Sequence, residues 1–237
     1  ALPISAARHR VHEGDATTRV RDAAARLEQP QRWQPPTTPQ LLPLVRTPAQ
    51  LEAVIDAGLP EVELDWMELV GLESAVRRAK QAGLVVTIAT TRVQKPGEAG
   101  IDARLMRLAP DGILVRHWGG LVHFAEVAAR PVVHGDFSLN VTNSVTARWV
   151  LGHQLATATC AHDLDEAQLA ALLAAAPRGR MAVTVHHHIA TFHTEHCVYA
   201  HTLSRGRDFR TCGRPCEQHR VALQDREGKQ HPVVVDV

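Results

Sequence analysis

The residues best suited to chemistry are three cysteines that lie close together near the end of the chain. Cys197, Cys212 and Cys216 fall within about twenty residues. Thiolate sulfur is a soft ligand that binds zinc, copper and iron–sulfur clusters. Gly213 and Pro215 lie between the last two cysteines and favour a turn that directs both sulfurs to one point. The spacing therefore predicts a metal centre with three thiolate ligands.

Histidines surround these cysteines and offer a fourth ligand. Eight of the fifteen histidines lie in the last 52 residues. A structural zinc site could combine the three thiolates with His196, His201 or His219. An iron–sulfur cluster could use the three thiolates and leave one position open or to a foreign ligand. Three buried thiols without a metal, or one disulfide, are the alternatives.

Two further segments bear on the ligand set. Cys160 ends the apolar segment 155–160, where a buried cysteine behaves as a small hydrophobe, although its position at a strand end leaves a fourth-ligand role open. His186, His187 and His188 follow a predicted strand. Because neighbouring strand residues point to opposite faces, these three histidines are not expected to bind one ion together.

The same segment holds residue types for acid–base and nucleophilic catalysis. Glu195 lies between His193 and His196, and Cys197 is adjacent to His196. A carboxylate beside imidazoles can transfer protons, and a cysteine peptidase needs a thiolate near a histidine. Neither a nucleophile elbow nor an H-E-x-x-H helix occurs.

The elements that must position these residues alternate between strand and helix from residue 41 onwards. Short connections in such an alternation indicate parallel strands with right-handed crossovers. The predicted fold is α/β, a TIM-like (β/α) barrel that is incomplete or distorted, with a doubly wound sheet as the alternative. The expected strands are 41–45, 62–65, 84–89, 112–116, 131–134, 156–160 and 181–185, with 233–235 as a candidate eighth.

In parallel α/β folds the functional residues lie at the carboxyl ends of the strands. The polar residues expected there are Arg46, Asp65, Thr90–Arg92, His117, Asp136, Asn140, Asn143, Cys160 and His186–His188.

The predicted organisation has three parts. Residues 1–40 form a helical and linker segment, 41–190 the barrel core, and 191–237 a Cys/His-rich segment that closes the barrel. The chain starts at Ala1 and stops at Val237 as if cut, so further portions of a longer protein are expected as partners.

Composition limits the function classes. The 26 basic and 25 acidic residues leave a net charge of +1, which gives no bulk attraction for nucleic acid. A local patch is formed by Arg205, Arg207, Arg210 and Arg214. Four cysteines without a secretory signal indicate a reducing, cytoplasmic location, and no apolar run is long enough to span a membrane.

Four segments together resemble the signature of the collagenase-like peptidase family U-thirty-two, in its long, histidine-rich form. Asp136, Asn140 and Asn143 also resemble the strand-end asparagine motif of that family, and Leu2–Ser5 resembles the segment that opens its last barrel portion. The four segments are Ala182–His188, Phe192–Tyr199, Cys212–His219 and Leu223–Asp225.

This resemblance implies a TIM-like barrel with a four-iron four-sulfur cluster on Cys197, Cys212 and Cys216. It implies a part in oxygen-independent hydroxylation of RNA bases or of a small aromatic substrate. The fourth ligand would lie beyond Val237 or be Cys160, and Ala182 replaces a family glutamate, which makes proteolysis less expected. The residues that match the family's histidine-rich pattern, and so are expected to be catalytic, are His187, His188, His193, Glu195 and His196.

The leading hypothesis is thus an iron–sulfur protein that assists hydroxylation or another modification of RNA or a small aromatic molecule. The alternatives are a metal- or cysteine-dependent peptidase and a zinc-stabilised barrel that binds RNA or a protein through its arginines.

Overall fold

The computed structural model describes residues 38–66, 69–98, 100–127, 131–188, 190, 193–194, 196–206, 208 and 210–235. Almost all of the predicted N-terminal segment 1–40 lies outside this part of the chain. Glu195 and Arg207 also lie outside it. The predicted boundaries at residues 40 and 190 stay predictions.

Seven strands form one parallel sheet in the order in which they occur in the chain. Helices alternate with them, which confirms the predicted α/β fold as an incomplete TIM-like barrel. The strands are β1 (Leu44–Val45), β2 (Glu61–Leu64), β3 (Val85–Ala89), β4 (Gly112–Val115), β5 (Val132–Gly135), β6 (Thr157–Thr159) and β7 (Met181–Ala182). The alternating helices are α1 (Pro48–Asp56), α2 (Leu69–Gln81), α3 (Gly100–Arg107), α4 (Trp118–Glu126), α5 (Ser144–Gly152) and α6 (Glu166–Ala175).

Two compact units make up the described chain. One comprises residues 115–183 with 38–40, and the other comprises 41–114 with 184–235. The second unit therefore contains both the first strands of the sheet and the Cys/His-rich segment. None of the helices in the described ranges combines the length and apolar character needed to cross a membrane.

Local sequence explains where the helices begin. Thr47 caps α1 by accepting the Gln50 N–H at 3.2 Å, and Pro48 takes the first helical position. Asp165 caps α6 through a reciprocal capping box with Gln168. Helix α4 was not predicted, because Gly119 and Gly120 weaken the helical pattern.

The C-terminal segment differs from the prediction. Strand β7 ends at Ala182, so the predicted continuation to Val185 is wrong, and Val185 is 81% exposed. The candidate eighth strand at 233–235 is also wrong. The segment instead forms two short helices, α7 (Val198–Leu203) and α8 (Pro215–Gln218), and an antiparallel hairpin of β8 (Ala222–Gln224) and β9 (Gln230–Pro232).

The buried Arg180 ties the end of α5 to the sheet within its unit. Its guanidinium donates to the carbonyl oxygens of Leu151 (3.3 Å), Ala156 (3.0 Å) and Leu155. Burial lowers the pKa of this guanidinium. These carbonyls include those that the end of a helix leaves without a partner, so the arginine serves as a C-terminal cap.

We expect Arg180→Met to lower the free energy of unfolding by about 2–3 kcal/mol, because buried carbonyls lose a charged donor. Urea denaturation followed by circular dichroism measures the loss. The matched control is Arg178→Met. Arg178 is exposed, and its guanidinium donates a hydrogen bond to the Leu173 carbonyl oxygen at 2.9 Å. Equal stability of the two variants would contradict the capping role.

Candidate functional site

Buried polar residues lie within β2 and β3 on one face of the sheet. In β2, Val62 and Leu64 are completely buried, and Glu63 alternates with them toward the opposite face. Glu63 is 9% exposed and lies in register with Thr87 of β3, which is also buried. The sequence analysis did not single out Glu63, although the alternation Val-Glu-Leu-Asp in a strand was the available signal.

An ion pair lies at the carboxyl ends of β1 and β2. Arg46 Nε is 3.4 Å from the Asp65 carboxylate, and Asp65 is 5% exposed. Both residues were predicted at the carboxyl ends of their strands, and the structure brings them together. Because a buried carboxylate is costly without a partner, this pair is a specific arrangement rather than a solvated loop.

A second ion pair lies at the carboxyl ends of β4 and β5, within the other unit. Arg116 Nε is 3.4 Å from Asp136 Oδ2, and both side chains are buried. Ser138 Oγ donates to the Arg116 carbonyl oxygen at 2.7 Å. Asp136 was predicted at this end of the sheet, whereas Arg116 was assigned only to a strand. An arginine that directly follows Gly-Ile-Leu-Val was the signal for it.

Other residues predicted in this ring have local structural contacts. His117 caps α4, with Nδ1 accepting the Gly120 N–H at 3.0 Å. Asn143 caps α5, with its side-chain oxygen accepting the Thr146 N–H at 2.9 Å. Asn140 has φ 56°, a left-handed conformation that asparagine tolerates better than most residues. These contacts stabilise the turns that follow β4 and β5.

Cys160 is placed in the core of its unit, directly after β6. It is 3% exposed, its N–H donates to the Ala182 carbonyl at 2.9 Å, and it bridges Val141 in parallel. Burial raises the pKa of its thiol. This environment is that of a small apolar side chain and disfavours the thiolate that a metal ligand requires.

The other three cysteines lie in the second unit and form no disulfide. Cys197 is exposed at the start of α7, where its sulfur accepts the Ala200 N–H at 3.4 Å. Cys212 precedes α8, and Cys216 lies within it; both are half-buried. Each cysteine is therefore held by a defined turn or helix.

The Cys216 thiol lies in α8, which packs against α7, the helix that Cys197 precedes. Its pKa is raised first by burial and then by the negative charges of Cys197, Cys212 and Glu217. Among the described residues, however, no group of three or more His, Cys, Asp or Glu side chains is arranged to hold a metal ion.

The predicted catalytic histidines lie on the surface of this unit. His187, His188, His193 and His196 are all exposed. The rings of His186 and His188 are 6.0 Å apart, and those of His196 and His201 are 4.8 Å apart in an edge contact. Residues 186–188 are not part of a strand, so the expected alternation of their side chains does not apply. The catalytic roles of these histidines and of Glu195 stay predictions.

The loop between α7 and Cys212 is built on Asp208 and Gly206. Asp208 Oδ1 accepts hydrogen bonds from the Thr211 hydroxyl at 2.8 Å and from the Thr211 and Arg210 N–H groups. The Thr211 hydroxyl is the main reason why the pKa of Asp208 is lowered. A Cβ on Gly206 would overlap the Thr211 carbonyl group and the Cys212 Cα. The loop therefore fixes the backbone of Cys212 by close contact.

Neither a protein-family model nor a curated protein matches the sequence. Among solved structures, the U32 peptidase Mk0906 is similar, with a TM-score of 0.48 and 17% sequence identity over 65% of this chain and 70% of that chain. A likeness at this level carries no conclusion about activity.

Stability should depend on the protonation of His134. This residue lies on β5 with Nδ1 2.8 Å from Thr157 Oγ1, and burial lowers its pKa. Because the unfolded chain then binds the proton more readily, the free energy of unfolding should fall as pH drops through about 6.5. Urea denaturation at pH values from about 5 to about 8, which lie on both sides of the ordinary histidine pKa, measures the slope of the free energy of unfolding against pH. His134→Gln should flatten it, and an unchanged slope would exclude His134 as the cause.

Gly206→Ala should displace the loop that carries Cys212 and cost about 3 kcal/mol, because the new Cβ has no room. Limited proteolysis and the rate of Cys212 alkylation, followed by mass spectrometry, report the change. Gly100→Ala is the matched control in the same unit, since nothing lies within 4 Å of the added Cβ. Wild-type alkylation rates in both variants would show that the loop does not position Cys212.

Proposed function

We propose that this chain is an iron–sulfur protein of the U-thirty-two type that assists oxygen-independent hydroxylation, or another modification, of RNA or a small aromatic substrate. Cys197, Cys212 and Cys216 would hold the cluster. The observation that carries the proposal is that α7, which Cys197 precedes, packs against α8, which contains Cys216 and follows Cys212, and that none of the three cysteines forms a disulfide.

The choice of a cluster over a single zinc ion rests on the resemblance of the cysteine segment to the signature of the U-thirty-two family. A cluster of four irons binds each thiolate at a different iron. A zinc ion would instead combine the three thiolates with a histidine such as His196, His201 or His219.

Three groups beside the cysteines would interact favourably with anionic sulfur or its surroundings. The Ala200 N–H already donates to Cys197, and a thiolate would strengthen that bond. Arg220 donates to the Cys216 carbonyl oxygen at 3.4 Å, and Arg214 pairs at 2.9 Å with Glu217, one of the groups that raise the pKa of Cys216. These arginines would oppose part of the effect of burial and negative charge on the Cys216 thiol.

When bound, the cluster would supply electron transfer or an iron site for a substrate atom. The chain's own residues would supply proton transfer and binding. His196 and His201 are exposed, in contact with each other and close in sequence to Cys197, so their rings are accessible to a substrate bound beside the cysteines. The exposed Arg205 and Arg210 can bind phosphate groups of an RNA substrate.

The test is metal and sulfide analysis of protein prepared without oxygen. We expect roughly four irons and four sulfides for each chain, as one cluster of this type contains, together with absorbance in the blue–violet. Cys197→Ser, Cys212→Ser and Cys216→Ser should each lose most of the iron and sulfide. A colourless protein that holds one zinc ion would contradict the proposal.

Cys160→Ala is the matched control among the cysteines. Because Cys160 is buried in the core of the other unit, we expect this variant to keep its iron and sulfide. Loss of the cluster in Cys160→Ala would instead identify Cys160 as the fourth ligand.

No observation favours the peptidase alternative over the cluster. Within the described residues, the Cys197 sulfur accepts a hydrogen bond from the Ala200 N–H, and the His196 ring contacts the His201 ring. A nucleophilic cysteine needs a histidine base within hydrogen-bond reach.

A further inference from the structure

Tyr199 is the buried centre of the Cys/His-rich segment. It is the one tyrosine of the chain, it lies in the first turn of α7 two residues after Cys197, and it is 3% exposed. Most side chains around it in sequence are exposed or half-buried. Tyr199 ends one of the four segments that resemble the family signature, but the sequence analysis predicted no role for it.

The hydroxyl of Tyr199 replaces a backbone hydrogen bond at the open end of the β8–β9 hairpin. The register pairs Ala222 with Pro232, so Val221 lies opposite Val233. The Val233 N–H donates to the Val221 carbonyl at 2.9 Å, as in an ordinary antiparallel pair. The reciprocal bond is absent. Instead, the Tyr199 hydroxyl accepts the Val221 N–H at 3.2 Å and donates to the Val233 carbonyl at 2.9 Å.

This contact joins the parts of the chain that carry two of the cysteines. Cys197 is the residue directly before α7 and lies two residues before Tyr199. Cys216 lies five residues before Val221. The connection from Cys216 to Val221 is short and held by the Arg220 bond to the Cys216 carbonyl oxygen. A hydroxyl that fixes Val221 against α7 therefore also limits how far Cys216 can move from Cys197.

We propose that Tyr199 is the positioning residue of the thiol site: by inserting its hydroxyl between Val221 and Val233, it holds α7 against the segment that carries Cys216 and keeps the three thiols within reach of one ligand. This inference deepens the proposed function, because it assigns a residue that prepares the cysteines for the cluster.

The probe is arsenite, whose trivalent arsenic binds three thiolates, applied to the metal-free full chain. We expect Tyr199→Phe to keep its circular dichroism but to bind arsenite about ten-fold more weakly, the effect of losing two hydrogen bonds. X-ray absorption should report three As–S bonds in the wild type and two in Tyr199→Phe. Amide exchange at Val221 should become faster.

Thr202→Val is the matched control, because it removes a hydroxyl of the same helix that bonds only within α7, to the Val198 carbonyl at 2.7 Å. It should leave arsenite affinity and the As–S coordination number unchanged. A general loss of stability would not change the number of arsenic–sulfur bonds in folded protein, so the coordination number separates positioning from stability alone.

Two results would overturn the inference. One is three As–S bonds and wild-type affinity in Tyr199→Phe, and the other is failure of the wild type to bind arsenite through three thiols. The proposed function fails differently. A wild-type chain that binds arsenite through three thiols, with Tyr199 dependence, but holds no iron or sulfide after anaerobic preparation would exclude the iron–sulfur cluster and support the role of Tyr199.

Discussion

Burial of one aliphatic face of each strand against the helices is the constraint on which the fold depends. In the unit that contains β2 and β3, Val62, Leu64, Val86 and Ile88 are completely excluded from water. Each such side chain contributes roughly 1.5–3 kcal/mol by burial. Once these residues face the helices, alternation sends Glu63 and Thr87 to the opposite face, where they are also buried.

That second face explains why charged residues lie inside the structure. The Arg116 and Asp136 side chains are both buried, and removal of one partner from such a pair typically costs about 3–5 kcal/mol. An apolar replacement of similar volume would often be no less stable. A packed core does not need such charges. Buried charged residues at the carboxyl ends of parallel strands are typical of residues that take part in catalysis or position the groups that do.

The Cys/His-rich segment is stabilised in another way. Its hairpin strand β8 is exposed at every residue, so little apolar burial holds it. Hydrogen bonds stabilise the segment instead. The Tyr199 hydroxyl bonds both strand ends of the hairpin, and Asp208 accepts hydrogen bonds within the loop. Gly206 lets the loop backbone lie close to Thr211. Segments with few buried apolar contacts open more readily than core strands. A ligand that joins three thiols would therefore add stability where the chain has least of its own.

The parallel α/β fold could be predicted from the sequence, because the alternation of strand and helix patterns is a local signal. The sequence also identified Arg46, Asp65 and Asp136 at the carboxyl ends of strands. It did not predict α4, whose two glycines weaken the helical signal, nor the hairpin, whose exposed strands carry little hydrophobic alternation. Long-range packing brings Arg116 to Asp136, buries Cys160 in the core, and joins α7 through the Tyr199 hydroxyl to the chain beyond Cys216. Those contacts link residues far apart in the chain, and no local spacing encodes them.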